Sequence, residues 1–131
     1  MVQVFNVHPG TLGKGIWKGT AMRIDRELMR GAGPVAVLQL LEQREMYGYE
    51  LVEALSRQSE GVLTMGQSTL YPLLYNLESK KLVRGKWKES SSGRQRKYYT
   101  LTKKGKTHLA THRRQWQELM GAMKGLGLLE S

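Results

Sequence analysis

The chain has 131 residues, 40% hydrophobic and 24% charged, a balance that suits one globular domain with an appendage and excludes a disordered chain. No run approaches the roughly 18 apolar residues of a membrane span, the first residues lack the basic-then-apolar order of a secretory leader, and the absence of cysteine removes disulfides, thiolate nucleophiles and Cys-based zinc sites. Of the 21 basic and 11 acidic residues, eleven bases and one acid, Glu89, lie between Lys80 and Lys106, so the whole excess of +10 sits in one fifth of the chain. A charge focused in this way concentrates polyanions, nucleic acid before an anionic membrane surface. The plain expectation is a cytoplasmic protein.

Residues 1–21 hold Pro9, Gly10, Gly13, Gly15 and Gly19 without a sustained period, and read as an N-terminal arm or expression remnant. Within it Val2, Val4 and Val7 suggest a short strand, and Trp17 is an isolated aromatic. From Met22 the pattern becomes regular. Asp25 suits the cap of a short turn, and Pro34 suits the first turn of a helix running to about Glu45, with Val35, Val37, Leu38 and Leu41 inward. Met46 to Tyr49 breaks it. A second helix is expected over 48–59, with Leu51, Val52 and Leu55 inward, and Gly61 ends that unit. A third is expected from Ser68 to Lys80 or Lys81, capped by Ser68 or Thr69, with Pro72 near its first turn.

The period then shortens to two. Arg84, Lys86 and Lys88 alternate with Val83, Gly85 and Trp87, residues 89–94 are turn chemistry, and Tyr98, Tyr99 and Thr100 favour a strand. This predicts a β-hairpin with basic rims, with Trp87 in its core. Thr102 is placed to cap a last helix carrying Leu109, Trp116, Met120 and Met123 at helical spacing, its glycine-rich end after Gly121 expected to fray.

Three short helices followed by a basic hairpin make a mainly α fold with a small β-hairpin. It is a winged helix-turn-helix over 22–102 with a C-terminal dimerisation helix and tail over 103–131. In such folds the third helix enters the major groove. Here Leu70, Leu74 and Leu77 share its inner face. Ser68, Thr69, Tyr71 and Tyr75 fall on the others, near a helix start whose free N–H groups suit a phosphate. Arg94, Arg96 and Lys97 are placed for the DNA backbone or minor groove. Tyr47 and Tyr49 are read as helix-packing residues. Trp116, Met120 and Met123 have little chain left to cover them, which predicts a homodimer, with the paired tryptophans either plain dimer core or the lining of a flat ligand pocket.

At these residues the chain resembles the PadR family of bacterial regulators. The resemblance is carried in order by Tyr47-Gly48-Tyr49-Glu50, by Ser68-Thr69-Leu70-Tyr71-Pro72-Leu73-Leu74-Tyr75-Asn76-Leu77-Glu78, and by Gly93-Arg94-Gln95-Arg96-Lys97-Tyr98-Tyr99-Thr100-Leu101-Thr102-Lys103-Lys104-Gly105. It spans about Ile24 to Leu119 and is similar to the compact branch with a single C-terminal helix. The resemblance implies a homodimer that binds an operator, usually represses, and in some members releases DNA on binding a phenolic acid or lipophilic drug.

Other chemistry finds little support. His108 and His112 at i, i+4 can clamp a metal but lack further ligands, so no metal or cofactor is expected. The stretch from Gly10 to Gly19 lacks the Lys-Ser/Thr ending of a phosphate loop, Ser90 to Gly93 is a turn rather than a nucleophile elbow, and Glu42 with Glu45 sits on a surface helix. An enzyme is therefore not expected. The alternative function is a constitutive winged-helix module that binds DNA, or grips a protein, without effector control.

Overall fold

The computed structural model describes residues 24–130. The proposed arm, with the Val2–Val7 strand, His8 and Trp17, lies outside them. Four helices and three strands follow in order: α1 (Arg26–Gln43), β1 (Met46–Tyr47), α2 (Gly48–Gln58), α3 (Gln67–Ser79), β2 (Val83–Glu89), β3 (Gln95–Leu101) and α4 (Lys103–Gly125).

Asp25 caps the whole of α1 and not a separate turn: its carboxylate accepts the Leu28 N–H at 2.9 Å. Pro34 therefore lies inside α1, where its missing N–H leaves the Arg30 carbonyl without its helical bond. The cap of α3 is Gly66, whose carbonyl accepts from Thr69 and Leu70, so Ser68 and Thr69 stand in the first turn and not at the cap. Between α2 and α3 the Ser59 hydroxyl accepts the Leu63 N–H at 2.8 Å, and Gly61 turns the chain at φ 87°, returning its N–H to Ser56.

The stretch that breaks the first helix makes a third strand. Met46 pairs with Tyr99 and Tyr47 with Tyr98, giving an antiparallel sheet in the order β1-β3-β2. The hairpin register runs from Val83 opposite Leu101 to Glu89 opposite Gln95. Leu38, Leu51, Leu70, Leu74 and Leu109 are fully buried in one core shared by α1, α2, α3, the start of α4 and the root of the hairpin. Leu40, Ala54 and Met65 also belong to it, while Val35 and Val52 are half-buried around it.

The end of α4 does not fray after Gly121. Helix continues to Gly125, and Gly127 at φ 86° closes it through Gly127 N–H to the Lys124 carbonyl and Leu128 N–H to the Met123 carbonyl.

Candidate nucleic-acid interface

The leucine stripe of α3 is pinned in the core, so the rest of the helix is presented outward. Leu70 and Leu74 are fully buried and Leu77 nearly so, whereas Ser68, Thr69, Tyr71 and Tyr75 are all exposed. The two tyrosines differ. Tyr75 is 75% exposed, while the ring of Tyr71 lies against the first residue of α2. A Cβ on Gly48 would meet the Tyr71 hydroxyl at 2.6 Å, so glycine at 48 is what lets that ring settle. The packing also brings α2 close behind α3, as a helix-turn-helix requires. Tyr49 is more than half exposed and packs less than expected, because α2 turns Leu51, Ala54 and Leu55 inward instead.

The alternation of β2 sorts the wing cations onto one face. Arg84, Lys86 and Lys88 stand opposite Thr100, Tyr98 and Arg96. Lys88 pairs with Glu45 and lies 4.7 Å over the Tyr98 ring. Tyr47 meets Tyr98 edge-on at 5.3 Å, and the Arg96 guanidinium sits 4.5 Å above Tyr47, a cation–π contact. Arg96 Nε is buried there and has no hydrogen-bond partner among the described residues. Arg84 and Lys86 are exposed, as is Arg94 at the turn, and among the described residues none of them enters an ion pair.

The other face carries a clamp to α3. Glu78 accepts the Gly85 N–H at 3.2 Å through one oxygen and Lys97 Nζ at 3.2 Å through the other. Lys97 lies across the strand to reach it: a Cβ on Gly85 would fall 2.3 Å from Lys97 Cε. Burial works against the Lys97 charge, but the Glu78 hydrogen bond and the neighbouring Tyr99 outweigh it and hold the ammonium above its ordinary 10.5. Burial, opposed by Lys97, raises the Tyr99 phenol above its ordinary 10.0. Both groups are thus held protonated in the folded chain more firmly than in the unfolded one. Their contribution is present below about pH 10 and is lost as pH rises through the folded values. In Glu78→Gln the Lys97 part should disappear. Chemical unfolding at pH 8 and pH 11 is expected to show a smaller alkaline loss of stability for this variant than for the parent.

Of the residues singled out on the wing, Arg94 is exposed and its side chain enters no ion pair among the described residues, whereas Arg96 and Lys97 brace the sheet. Trp87 is 64% exposed and not core, because the hairpin runs on past the helices and leaves only Val83 and Tyr99 at its root buried. Arg84 and Lys86 were visible as alternating bases, but their freedom depends on which cations find carboxylates. Glu45 and Glu78 are far from Lys88 and Lys97 in sequence.

The last helix leaves the sheet at a tight joint. Thr102 caps it by accepting the Gly105 N–H at 2.9 Å, and Arg113 ties it to α1 through Gln39 at 2.8 Å and Glu42 at 2.9 Å. His108 and His112 stack with centroids 4.2 Å apart. Burial, then His112, Lys80 and Lys104, hold His108 below its ordinary 6.5. Beyond this the helix carries an uncovered stripe. Trp116 and Met123 are half-buried, and Leu119, Met120, Leu126 and Leu128 are exposed.

The sequence model of the transcriptional regulator PadR-like family matches residues 37–111, from the middle of α1 through the third turn of α4. Among solved structures, a Streptococcus transcriptional regulator is 35% identical with a TM-score of 0.70, covering 79% of this chain and 99% of its own. A PadR-like transcriptional regulator from Bacillus cereus is 31% identical, also with a TM-score of 0.70 and the same two coverages. A PadR family transcriptional regulator from Eggerthella lenta is 36% identical with a TM-score of 0.66, covering 76% of this chain and 85% of its own.

Proposed function

The chain belongs to the transcriptional regulator PadR-like family, a family of regulators rather than enzymes, and from that premise we propose that it is a dimeric, cytoplasmic repressor of duplex DNA released by a small aromatic or lipophilic effector. The observation that carries the reading is the division of α3, with its leucines sealed in the core and Ser68, Thr69, Tyr71 and Tyr75 exposed beside a wing whose Arg84, Lys86 and Arg94 side chains enter no ion pair among the described residues. Serine, threonine and tyrosine hydroxyls suit base edges and phosphates, and the wing cations suit the backbone. Arg96 and Lys97 complete the wing and brace it, the first with its guanidinium over Tyr47 and the second through Nζ to Glu78. No helix among the described residues is long and apolar enough to cross a membrane.

The exposed stripe of α4 supports the dimer reading. The 23 residues of the helix make a rod of about 34 Å at 1.5 Å per residue, and only Gly105 and Leu109 are buried. A second copy laid on Trp116, Met120 and Met123 would cover the stripe, leaving a methionine-lined slot between the tryptophans for the effector. Two recognition helices about 34 Å apart would then read half-sites one turn apart. Sedimentation equilibrium at micromolar concentration is expected to give twice the chain mass; a monomer there would remove the dimer.

The deciding test is binding to a labelled duplex from the region upstream of the protein's own gene, across a salt series, against a random duplex. Tight binding that survives the competitor and falls steeply with salt supports a specific regulator. Binding that the competitor abolishes would leave a non-specific module.

A further inference from the structure

We propose that the cleft between α1 and α3 is a binding site for a small amphipathic anion, a carboxylate carried on an apolar body. The cleft is a half-open groove of about 590 Å³, inside the roughly 300–1,000 Å³ range of small-molecule sites. Its lining divides by chemistry. Met29, Met65, Leu73 and Leu77 make it apolar within, Pro34 of α1 and Pro72 of α3 line its two sides, Thr69 and Asn76 add neutral polar groups, and Arg26, Arg30 and Lys80 bring three cations to it, with no carboxylate among the described lining residues.

The apolar interior depends on a missing side chain. A Cβ on Gly33 would lie 3.2 Å from Leu73 Cδ1 and 3.5 Å from Met65 Cε, so these side chains converge over bare backbone. The two prolines sit inside their helices, with φ fixed and no rotamer able to fold into the opening. The methionines supply adaptable surface. The charge arrangement is self-opposing. Arg26 and Arg30 are four residues apart on one face of α1, a spacing at which like charges repel. Among the described residues none of the three cations enters an ion pair. An anion lodged over the apolar interior would relieve that repulsion.

Charge also argues against two segments of the chain as occupants. The residues before the described part carry Lys14, Lys18 and Arg23 and no acid. The outer half of α4 sets Arg113, Arg114 and Lys124 against Glu118 alone. Both have the sign of the rim. One wall of the cleft is a flank of α3 that includes Thr69, so a ligand there would bear on how α3 sits against α1 and on a residue assigned to DNA. That consequence rests on the proposed function; the binding does not, and the site is separate from the slot between paired α4 helices.

The test is isothermal titration of the full chain, without DNA, using sodium decanoate below its micelle concentration and decylammonium as the same tail with the opposite charge. Decanoate is expected to bind once per chain, and decylammonium about tenfold or more weakly. Arg30→Glu, an exposed change that circular dichroism should show to be folded, is expected to weaken decanoate by about tenfold or more. No decanoate heat, equal binding of the two tails, or decanoate binding indifferent to Arg30→Glu would each overturn the proposal. So would Arg30→Glu dissociating a dimer that decanoate leaves untouched, since a second copy would then fill the cleft. Because no DNA is present, a failure of operator binding leaves this result standing, and the reverse holds.

Discussion

Gly105→Ala is expected to destabilise the fold by about 3 kcal/mol, the upper end for overpacking. The added Cβ would sit 2.0 Å from the Leu82 carbonyl oxygen and 3.0 Å from its carbon, and backbone cannot rotate aside. That oxygen is already engaged, accepting the Thr102 N–H at 3.1 Å and the Thr102 hydroxyl at 3.0 Å. Leu82 is itself tied through its N–H to Leu77 at 3.0 Å. Relief therefore requires tilting α4 away from the end of α3, which opens the core at Leu109. Against a total of roughly 5–15 kcal/mol, this is a large fraction. Thermal unfolding should show a fall of more than about ten degrees. Gly121→Ala is the matched control. Nothing lies within 4 Å of a Cβ there, so the same change in the same helix should stabilise by up to about 1 kcal/mol. Equal melting temperatures for the two variants would mean that the joint between α3, β3 and α4 does not carry the constraint assigned to it.

The second large effect concerns DNA. The triple variant Arg84→Ala, Lys86→Ala, Arg94→Ala is expected to weaken duplex binding by about 100-fold near 0.1 M salt, and to flatten the log–log salt slope by about three units. The loss should be alike for specific and random duplexes, since these side chains are assigned to phosphates. Tyr75→Ala should behave in the opposite way, changing preference among duplexes with little change of slope. Arg96→Ala and Lys97→Ala are poorer probes. The first removes the cation stacked on Tyr47 and the second breaks the clamp to Glu78, so either also loosens the sheet. Filter binding over a salt series separates these cases. A triple variant with an unchanged slope would move the backbone contacts off the wing.

The Glu78 clamp explains why the wing keeps its place beside α3 without core packing at its tip. One carboxylate near the end of α3 holds both strands, β2 through the Gly85 N–H and β3 through Lys97. The pair is about two-thirds buried, which places it beyond the weakest class of surface pair. The wing and the recognition helix therefore share one rigid connection, and whatever moves α3 against α1 moves the wing with it.

Much of this protein was readable from residue order. Leucines at 70, 74 and 77 can share a face only on a helix, and alternate bases at 84, 86 and 88 only on a strand. Thr102 before a polar helical run is a cap wherever it occurs, and the bases between 80 and 106 had to form a patch once that segment folded as a hairpin. These are local matters, set by periods of 3.6 and 2 and by side chains that reach their own backbone. What sequence could not decide was pairing at a distance. Met46 and Tyr47 look like a helix break until β3 arrives to make them a strand. Trp87 looks like core until the hairpin is seen to outrun the helices. Pro34 looks like a first turn because the Asp25 cap extends the helix upstream of it. Lys88 and Lys97 look as free as Lys86 until Glu45 and Glu78 are brought against them. Each of these depends on which surfaces the fold sets a few ångströms apart, and that distance is a property of the packed core rather than of any one segment.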